Sequence, residues 1–527
     1  YPECYLKNSL PLPLLPCHSR LSCYAQHKII KMDDKQMTLK HILILTLLIL
    51  SGCSQHQVIP KTNDQVSQCI QDFELFDRVI DRAGTRNAGE TLIAGYPFLR
   101  TNRLLDSFDP SVLTPKQRGE WLTLMAELDR AARYSEFHNL SGEEKLALTK
   151  EPAHYLASVN ACRDQLITAI QTKSDWVEHL NEATVPDDYV TWQRVVGLYY
   201  LTGLPLSKGV SNLHAEINAT YAIAEKDLPV EGELLYLKPP MAKPKVSAGQ
   251  LKAIMARSLT PDLGVPVLSV EDRTLLFAYY APEWLLDVVE PNDKIGKVHY
   301  QQGVTLAQVD VAEPVVYRRV SHTRFGDQVL LQLNYVVWFP ARTEQGRFDI
   351  LGGHMDGIMW RVTLDSSGQP LVYDTAHNCG CYHLFYPTHQ AKFIAEDSGI
   401  YTEPPMSPSV APSLSDEERI IIRVAHLSHF VDRVSNRLAS PVKQQTTYTF
   451  ADYEQLETLP TSVGSQSLFG ADGLIKGTER AERYMLWMMG VKSPGAMRQW
   501  GRHATAFLER RHFDDARLLE NIILIKD

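Results

Sequence analysis

Hydrophobic runs long enough to cross a membrane are missing from this sequence. The apolar stretch 42–50 has nine residues, whereas a spanning helix needs about 20. Nothing beyond it reaches that length, so the rest of the chain is expected to be water-soluble. Basic charge is also in short supply: 53 Lys and Arg face 62 Asp and Glu, a net charge of −9. That balance argues against nucleic acid as a partner. Arg498, Arg502, Arg510 and Arg511 cluster near the C-terminus and read as a solvated helix face. The sequence has no Gly-x-Ser-x-Gly nucleophile elbow, no phosphate-cradling glycine loop and no dinucleotide fingerprint. Serine-hydrolase, NTPase and dehydrogenase chemistries thereby lose their usual support. Internal repeats and low-complexity tracts are absent too. What remains is ordinary globular composition, 44% hydrophobic and 22% charged, with length enough for two or three domains.

The short apolar run carries its own message. Lys40 and His41 precede it, and Leu50-Ser51-Gly52-Cys53 closes it. A basic stub, a short apolar core, small residues and one cysteine together resemble a bacterial lipoprotein signal with its lipobox. The resemblance implies cleavage before Cys53 and fatty-acyl chains, palmitate among them, on that cysteine. Each buried CH₂ contributes about 0.8 kcal/mol, so several chains would hold the protein on a membrane. Ser54, where an aspartate would imply inner-membrane retention, implies the periplasmic face of a Gram-negative outer membrane. Met37 is the expected start, with Met32 the alternative. Residues 1–36 then read as an upstream artefact, 37–52 as signal peptide and 53–63 as a tether.

Cysteine arithmetic follows from that location. Of eight cysteines, Cys4, Cys17 and Cys23 lie upstream and Cys53 carries lipid. Cys69, Cys162, Cys379 and Cys381 remain, in an oxidising compartment where free thiols need a reason. From Asp64, Val66, Cys69, Ile70, Phe73, Phe76 and Ile80 recur at helical spacing, and Gly84 fits a stop. Helical patterns continue over 114–134, 142–171 and 186–202. Tyr155, Val159, Cys162, Leu166 and Ile170 form one stripe. Cys69 and Cys162 thus sit on buried helix faces, and a disulfide joining the two helices is expected. Two inert buried thiols are the alternative.

Pro239, Pro240 and Pro244 mark a boundary after a helical domain, 64–238. A β-rich domain, 246–401, is expected next. Residues 275–281, 315–320 and 329–339 read as strands. In 358–374, Trp360, Val362 and Leu364 alternate with Arg361 and Thr363, and Asp365-Ser366-Ser367-Gly368 supplies turn chemistry, so this unit is a hairpin. Residues 402–416 read as a loop and 417–527 as a mixed α/β segment. There Thr478 can cap a helix that Gly490 ends, and Ser493-Pro494 can open another. The expected class is α+β: an N-terminal helical domain, then an antiparallel β-rich domain with C-terminal helices packed on it.

The densest group of ligand-type residues is His377-Asn378-Cys379-Gly380-Cys381-Tyr382-His383. On a strand, His377, Cys379, Cys381 and His383 would all face one way. Two thiolates and two imidazoles suit tetrahedral zinc, and thiolate also suits copper(I). A straight strand would set the two histidines about 20 Å apart at roughly 3.3 Å per residue. Convergence therefore requires the backbone to fold back, which Gly380 permits. His354 and Asp356 are the best outside helpers, and His322 is a weaker one. Three readings stay open. The first is a zinc or copper site, with Asp356 or Asp374 as general base if the metal serves a hydrolase. The second is a reversible Cys379–Cys381 disulfide in a thiol-exchange protein. The third is a non-enzymatic scaffold with structural cysteines and unidentified envelope protein partners. A c-type haem site is excluded, because that motif needs two residues between its cysteines.

His426 and His429 read as core or capping residues, and Met485, Met488 and Met489 as a packed helix stripe. The stretch from Gly353 through Trp360, Arg361 and Asp374 to His383, and Pro494 through His503, resemble segments of uncharacterised Gram-negative envelope proteins. No activity is implied by that likeness.

Overall fold

Helical periodicity in the first hundred described residues becomes a packed layer. The structure, a computed structural model, describes residues 64–171, 184–394 and 399–526. The expected signal peptide, the expected lipid attachment at Cys53 and the expected tether lie outside them. Helices Asp64–Ala83, Pro115–His138 and Pro152–Gln171 share one core. Phe73, Phe76 and Ile80 meet Trp121, Leu122 and Met125 of the second helix and Leu166 and Ile170 of the third. Thr114 opens the second helix with a capping box, its hydroxyl accepting from the Gln117 amide, which satisfies a donor left over at the helix start. A disulfide joins Cys69 to Cys162 across the first and third helices, with Cα atoms 5.3 Å apart.

The same layer buries charge. Asp129 is enclosed by Arg100 at 3.3 Å, Arg133 at 3.0 Å and Arg163 at 2.7 Å, and Arg100 also reaches Glu136 at 2.7 Å. Burial works against the Asp129 carboxylate, but the three guanidiniums outweigh it and hold its pKa below the ordinary range.

Two sheets follow. One has six strands in the order Leu384–Pro387, Pro370–His377, Gly353–Leu364, Gln328–Arg342, Val315–Phe325, Thr449–Asp452. Its pairings are antiparallel until the last, where Thr449–Asp452 runs parallel to Val315–Phe325. The other has five strands, Val431–Ser435, Ile421–Val424, Glu283–Val288, Glu233–Lys238, Gln444–Thr447. Period-two alternation sorts the side chains. Ile358, Trp360, Val362 and Leu364 enter a core shared with Trp284, Leu286 and Ile422 of the five-stranded sheet. Met359, on the opposite face, packs with Met497, Trp500 and Phe513 of the C-terminal segment. The hairpin strands are therefore covered on both faces. The fold class is α+β, as expected.

Several local expectations change. Residues 275–281 are not a strand: they belong largely to helix Val270–Tyr279. Ser269 caps this helix by accepting from the Asp272 amide, and that start signal outweighs the aromatic content. The 142–171 pattern is interrupted after Leu148 and resumes at Pro152. The 186–202 pattern becomes helix Thr191–Val196 and then a longer helix, Tyr199–Ala222. The prolines at 239–244 do not separate two bodies, since Glu233–Lys238 pairs antiparallel with Glu283–Val288. Thr478 caps nothing: its hydroxyl donates to Ile475 O and accepts from Met497 N. The C-terminal helical turns are short, at Arg483–Leu486, Trp487–Met489 and Leu518–Asn521. Ser493-Pro494 forms a tight turn with Ser493 at φ 46° in place of a helix start.

Replacing Asp129 by Asn removes the carboxylate that three buried guanidiniums share; Arg100 keeps Glu136 and Arg133 keeps Asp77, but Arg163 loses its carboxylate partner. The expected loss of unfolding free energy is about 3–5 kcal/mol, measured by urea titration at neutral pH. A change within error would mean the cluster does not hold the helical layer.

Candidate functional site

The hairpin delivers its second strand straight into the His/Cys cluster, and there the chain reverses. His377 N–H donates to Cys381 O at 2.9 Å, and Gly380 N–H to His377 O at 2.8 Å. Gly380 has φ +94°, and a Cβ on it would lie 2.1 Å from Ala504 O, so only glycine fits. Asn378 N–H donates to Gly357 O, and Arg498 N–H to Asn378 O. The Arg498 guanidinium donates to Cys379 O at 3.2 Å. The turn is thereby pinned from two sides.

Both thiols are free; Cys379 is buried and Cys381 half-buried. The Cys381 amide points at Cys379 Sγ, 3.4 Å away. A hydrogen bond from the Cys381 S–H to Cys379, together with burial, pushes the Cys381 thiol well above its ordinary pKa. The pair faces a cavity of about 230 Å³. Leu206, Val210, Leu213 and Ile217 of helix Tyr199–Ala222 form its apolar wall, and Arg342, Arg480 and Glu482 stand at its polar side.

The histidines part company. His383 donates Nε2–H to Asp374 at 3.0 Å, leaving Nδ1 as the lone-pair nitrogen. His377 lies beside Asp356, with Nδ1 3.7 Å from the carboxylate. Burial lowers the pKa of both to about 4, so both rings are neutral at pH 7. His377 Nε2 and His383 Nδ1 have no hydrogen-bond partner among the described residues, and both residues line the cavity. His354 is directed elsewhere, to Ala307 O at 2.9 Å, and His322 to Pro266 O at 2.7 Å. Among the described residues, no three His, Cys, Asp or Glu side chains gather round one point as a metal ion would need. The four-ligand set expected of His377, Cys379, Cys381 and His383 is therefore not assembled, because each histidine is claimed by a different carboxylate.

Those carboxylates are committed as well. Asp374 forms a two-pronged pair with Arg361, at 2.9 and 2.6 Å. Asp356 accepts from the Gly357 amide at 2.8 Å and from His429 Nδ1 at 2.8 Å. His429 Nε2 faces Asn292 O at 3.1 Å. An oxygen thus faces each nitrogen of this ring. It also stacks on Phe339, with ring centroids 3.9 Å apart. Burial opposes the Asp356 carboxylate, but His429 and His377 hold its pKa far below the usual range. Neither Asp356 nor Asp374 has the spare basicity of a general base. Both act as positioning groups.

Backbone strain concentrates here. Among the described residues, six non-glycine residues have positive φ. Of these, Met355, Tyr382, Leu427 and His429 are in or next to the Asp356–His429–His377 group. Such conformations cost about 1–3 kcal/mol each and persist only where the surroundings over-determine them. Arg480 braces Met355 by donating to His354 O at 2.9 Å and to Met355 O.

Four participants were missed in the sequence. His429 read as a core residue because its partner Asp356 is 73 positions away. Arg498 read as part of a solvated helix face, yet it is fully buried and holds the thiol turn. Arg511 is buried too and binds Glu403 O. Arg480 gave no signal at all. Comparison with family models, curated proteins and solved structures finds no match.

The two neutral histidines set a pH dependence. A histidine whose folded pKa lies below its unfolded value binds its proton in the unfolded chain first. Its contribution to stability is full above pH 6.5 and is lost as pH falls toward 4. Urea midpoints are expected to drop across that window. In His377→Gln and His383→Gln chains the drop should be shallower. An unchanged slope in both would show that neither ring is held neutral.

Proposed function

We propose that this chain is a lipid-anchored protein of the Gram-negative envelope that binds a soft metal ion at Cys379 and Cys381. The anchor reading rests on the lipobox ending at Cys53. The metal reading is carried by one observation: the Gly380 turn sets two free, hydrogen-bonded thiols side by side on a cavity wall. Soft thiolates select copper(I), whereas structural zinc requires four converging ligands. Copper(I) is therefore the favoured ion and zinc the lesser one. The two thiol protons leave when the ion binds. His377 and His383, which line the same cavity and each keep a ring nitrogen without a hydrogen-bond partner among the described residues, are the further candidate donors. With both carboxylates committed, the site is one of binding, and a metal-dependent hydrolase is not part of the reading.

The same paired sulfurs favour a second reading, a reversible disulfide. One preparation separates the alternatives. The full chain is purified without chelator, its copper and zinc are measured, and its thiols are counted before and after chelation. One copper per chain, with two thiols revealed only by chelation and both effects lost in Cys379→Ser/Cys381→Ser, is the expected result. Two thiols revealed only by reductant would replace metal binding with thiol exchange. Two freely reactive thiols with no metal would leave a scaffold.

A further inference from the structure

The helix that walls the cavity is apolar on its outside as well. Along Tyr199–Ala222, Leu206, Val210, Leu213 and Ile217 line the cavity. Leu201, Leu204 and Lys208, at helical spacing, lie on the solvent side. The preceding helix, Thr191–Val196, continues that outer surface with Trp192, Val195 and Val196. Trp192 is 62% exposed, Val195 69%, Tyr200 71% and Leu201 66%. Tyr484 and Met485, on the turn that leads into Trp487–Met489, are exposed too, and Trp487–Met489 packs on both helices. Large apolar side chains scattered singly over a surface need no explanation. A continuous group of this kind marks an interaction site.

We infer that this surface seats the protein on a lipid bilayer, as an interfacial element that lies in the headgroup region. Its chemistry selects that occupant. Between Thr191 and Ala215 there is no Asp or Glu, and the charged residues are Arg194 and Lys208. Arg194 is engaged with Met489 O at 2.7 Å and Glu509 O at 2.9 Å, while Lys208 is exposed. A neutral-to-cationic surface on a chain of net charge −9 complements anionic phospholipid. Trp192, Tyr200 and Tyr484 are the amphipathic rings that favour the headgroup level, with Leu and Val beneath them. The inference rests on the lipid-anchor reading in one respect. The eleven peptide steps from Cys53 to Asp64 span at most about 40 Å, so an acylated Cys53 would keep the described body within reach of the bilayer. The anchor alone would tether the body loosely. The apolar helices would orient it and lay the cavity's helical wall against the membrane.

The test uses the full chain and its Cys53→Ser variant, which cannot be acylated there, with vesicles of phosphatidylethanolamine and phosphatidylglycerol. The Cys53→Ser chain is expected to float with the vesicles, more strongly as phosphatidylglycerol rises. Trp192→Glu/Leu201→Glu in that background is expected to weaken flotation at least about tenfold, since each charge at an interfacial apolar position opposes insertion. Thermal unfolding of the double variant should match its parent, because both side chains are exposed. A Cys53→Ser chain that does not float, or floats equally well with both glutamates, overturns the inference. So does sedimentation as a dimer that those glutamates dissociate, because the surface would then belong to a second copy. The mass of the wild-type chain tests the anchor separately: an unmodified Cys53 sinks the lipoprotein reading and leaves vesicle binding standing on its own.

Discussion

Arg361 and Asp374 face each other across the two strands of the hairpin, fully buried and joined by two hydrogen bonds. Much of the site depends on this pair. A buried ion pair gains little net stability over an apolar one, but loss of either partner strands a charge and costs about 3–5 kcal/mol. The pair therefore acts as a register lock. A slip by one residue would turn every side chain of the strand to the wrong face. From the same two side chains the structure reaches outward. Asp374 also accepts from His383, which fixes the exit of the thiol turn. Arg361 also donates to Phe513 O, and its guanidinium lies 3.8 Å from the Phe513 ring centroid. The C-terminal segment, hairpin and His/Cys turn are thus held by one buried contact.

How much of this was legible in the sequence depended on the range of each interaction. Alternation in 358–374 and the Asp365–Gly368 turn are local, and the hairpin is where the pattern put it. The stripes holding Cys69 and Cys162 are also local, and each cysteine faces the helical core. A reversal at Gly380 was expected only as the condition for four donors to converge; the chain does reverse there, but the donors do not assemble. Residues 275–281 misled because their aromatic content is a weak guide beside a capped helix start. The identities of the histidine partners were out of reach. Asp356 finds His429 73 positions away, and Cys379 finds Arg498 119 positions away. Nothing in either neighbourhood encodes that meeting. The group of four donors failed to assemble for the same reason: carboxylates distant from, or across the sheet from, each histidine claimed it first.

The electrostatics of the cavity wall follow from that division. Two histidines are neutral because burial penalises their protonated forms, while His429 has an oxygen at each nitrogen, one of them from Asp356. The Cys381 thiol is kept protonated by its hydrogen bond to Cys379 and by burial. Such a wall carries charge at Arg342, Arg480 and Glu482 and is otherwise rich in neutral polar atoms. It offers lone pairs and exchangeable thiol protons to an incoming group, and it resists creating a bare thiolate. The proposal of a soft cation that replaces protons, and not of chemistry that begins from a pre-formed nucleophile, rests on this.

Strain gives the argument its last step. Met355, Tyr382, Leu427 and His429 each occupy the left-handed region, where a side chain costs about 1–3 kcal/mol. A structural core has no use for such a sum concentrated around one carboxylate, since unstrained loops could bury the same apolar area. The braces are correspondingly heavy. Arg480 holds the carbonyls on either side of the Met355 bend, Asp293 accepts from Leu427 N and bonds His426, and Arg498 grips the thiol turn. Each brace is a buried or half-buried charge that would itself be costly without its partners. Strain and brace together make sense if the relative placement of Asp356, His377 and the thiols is what the fold maintains. The helix Tyr199–Ala222 then completes the design, because it closes the cavity with one face and leaves apolar side chains on the other for something outside the chain to cover.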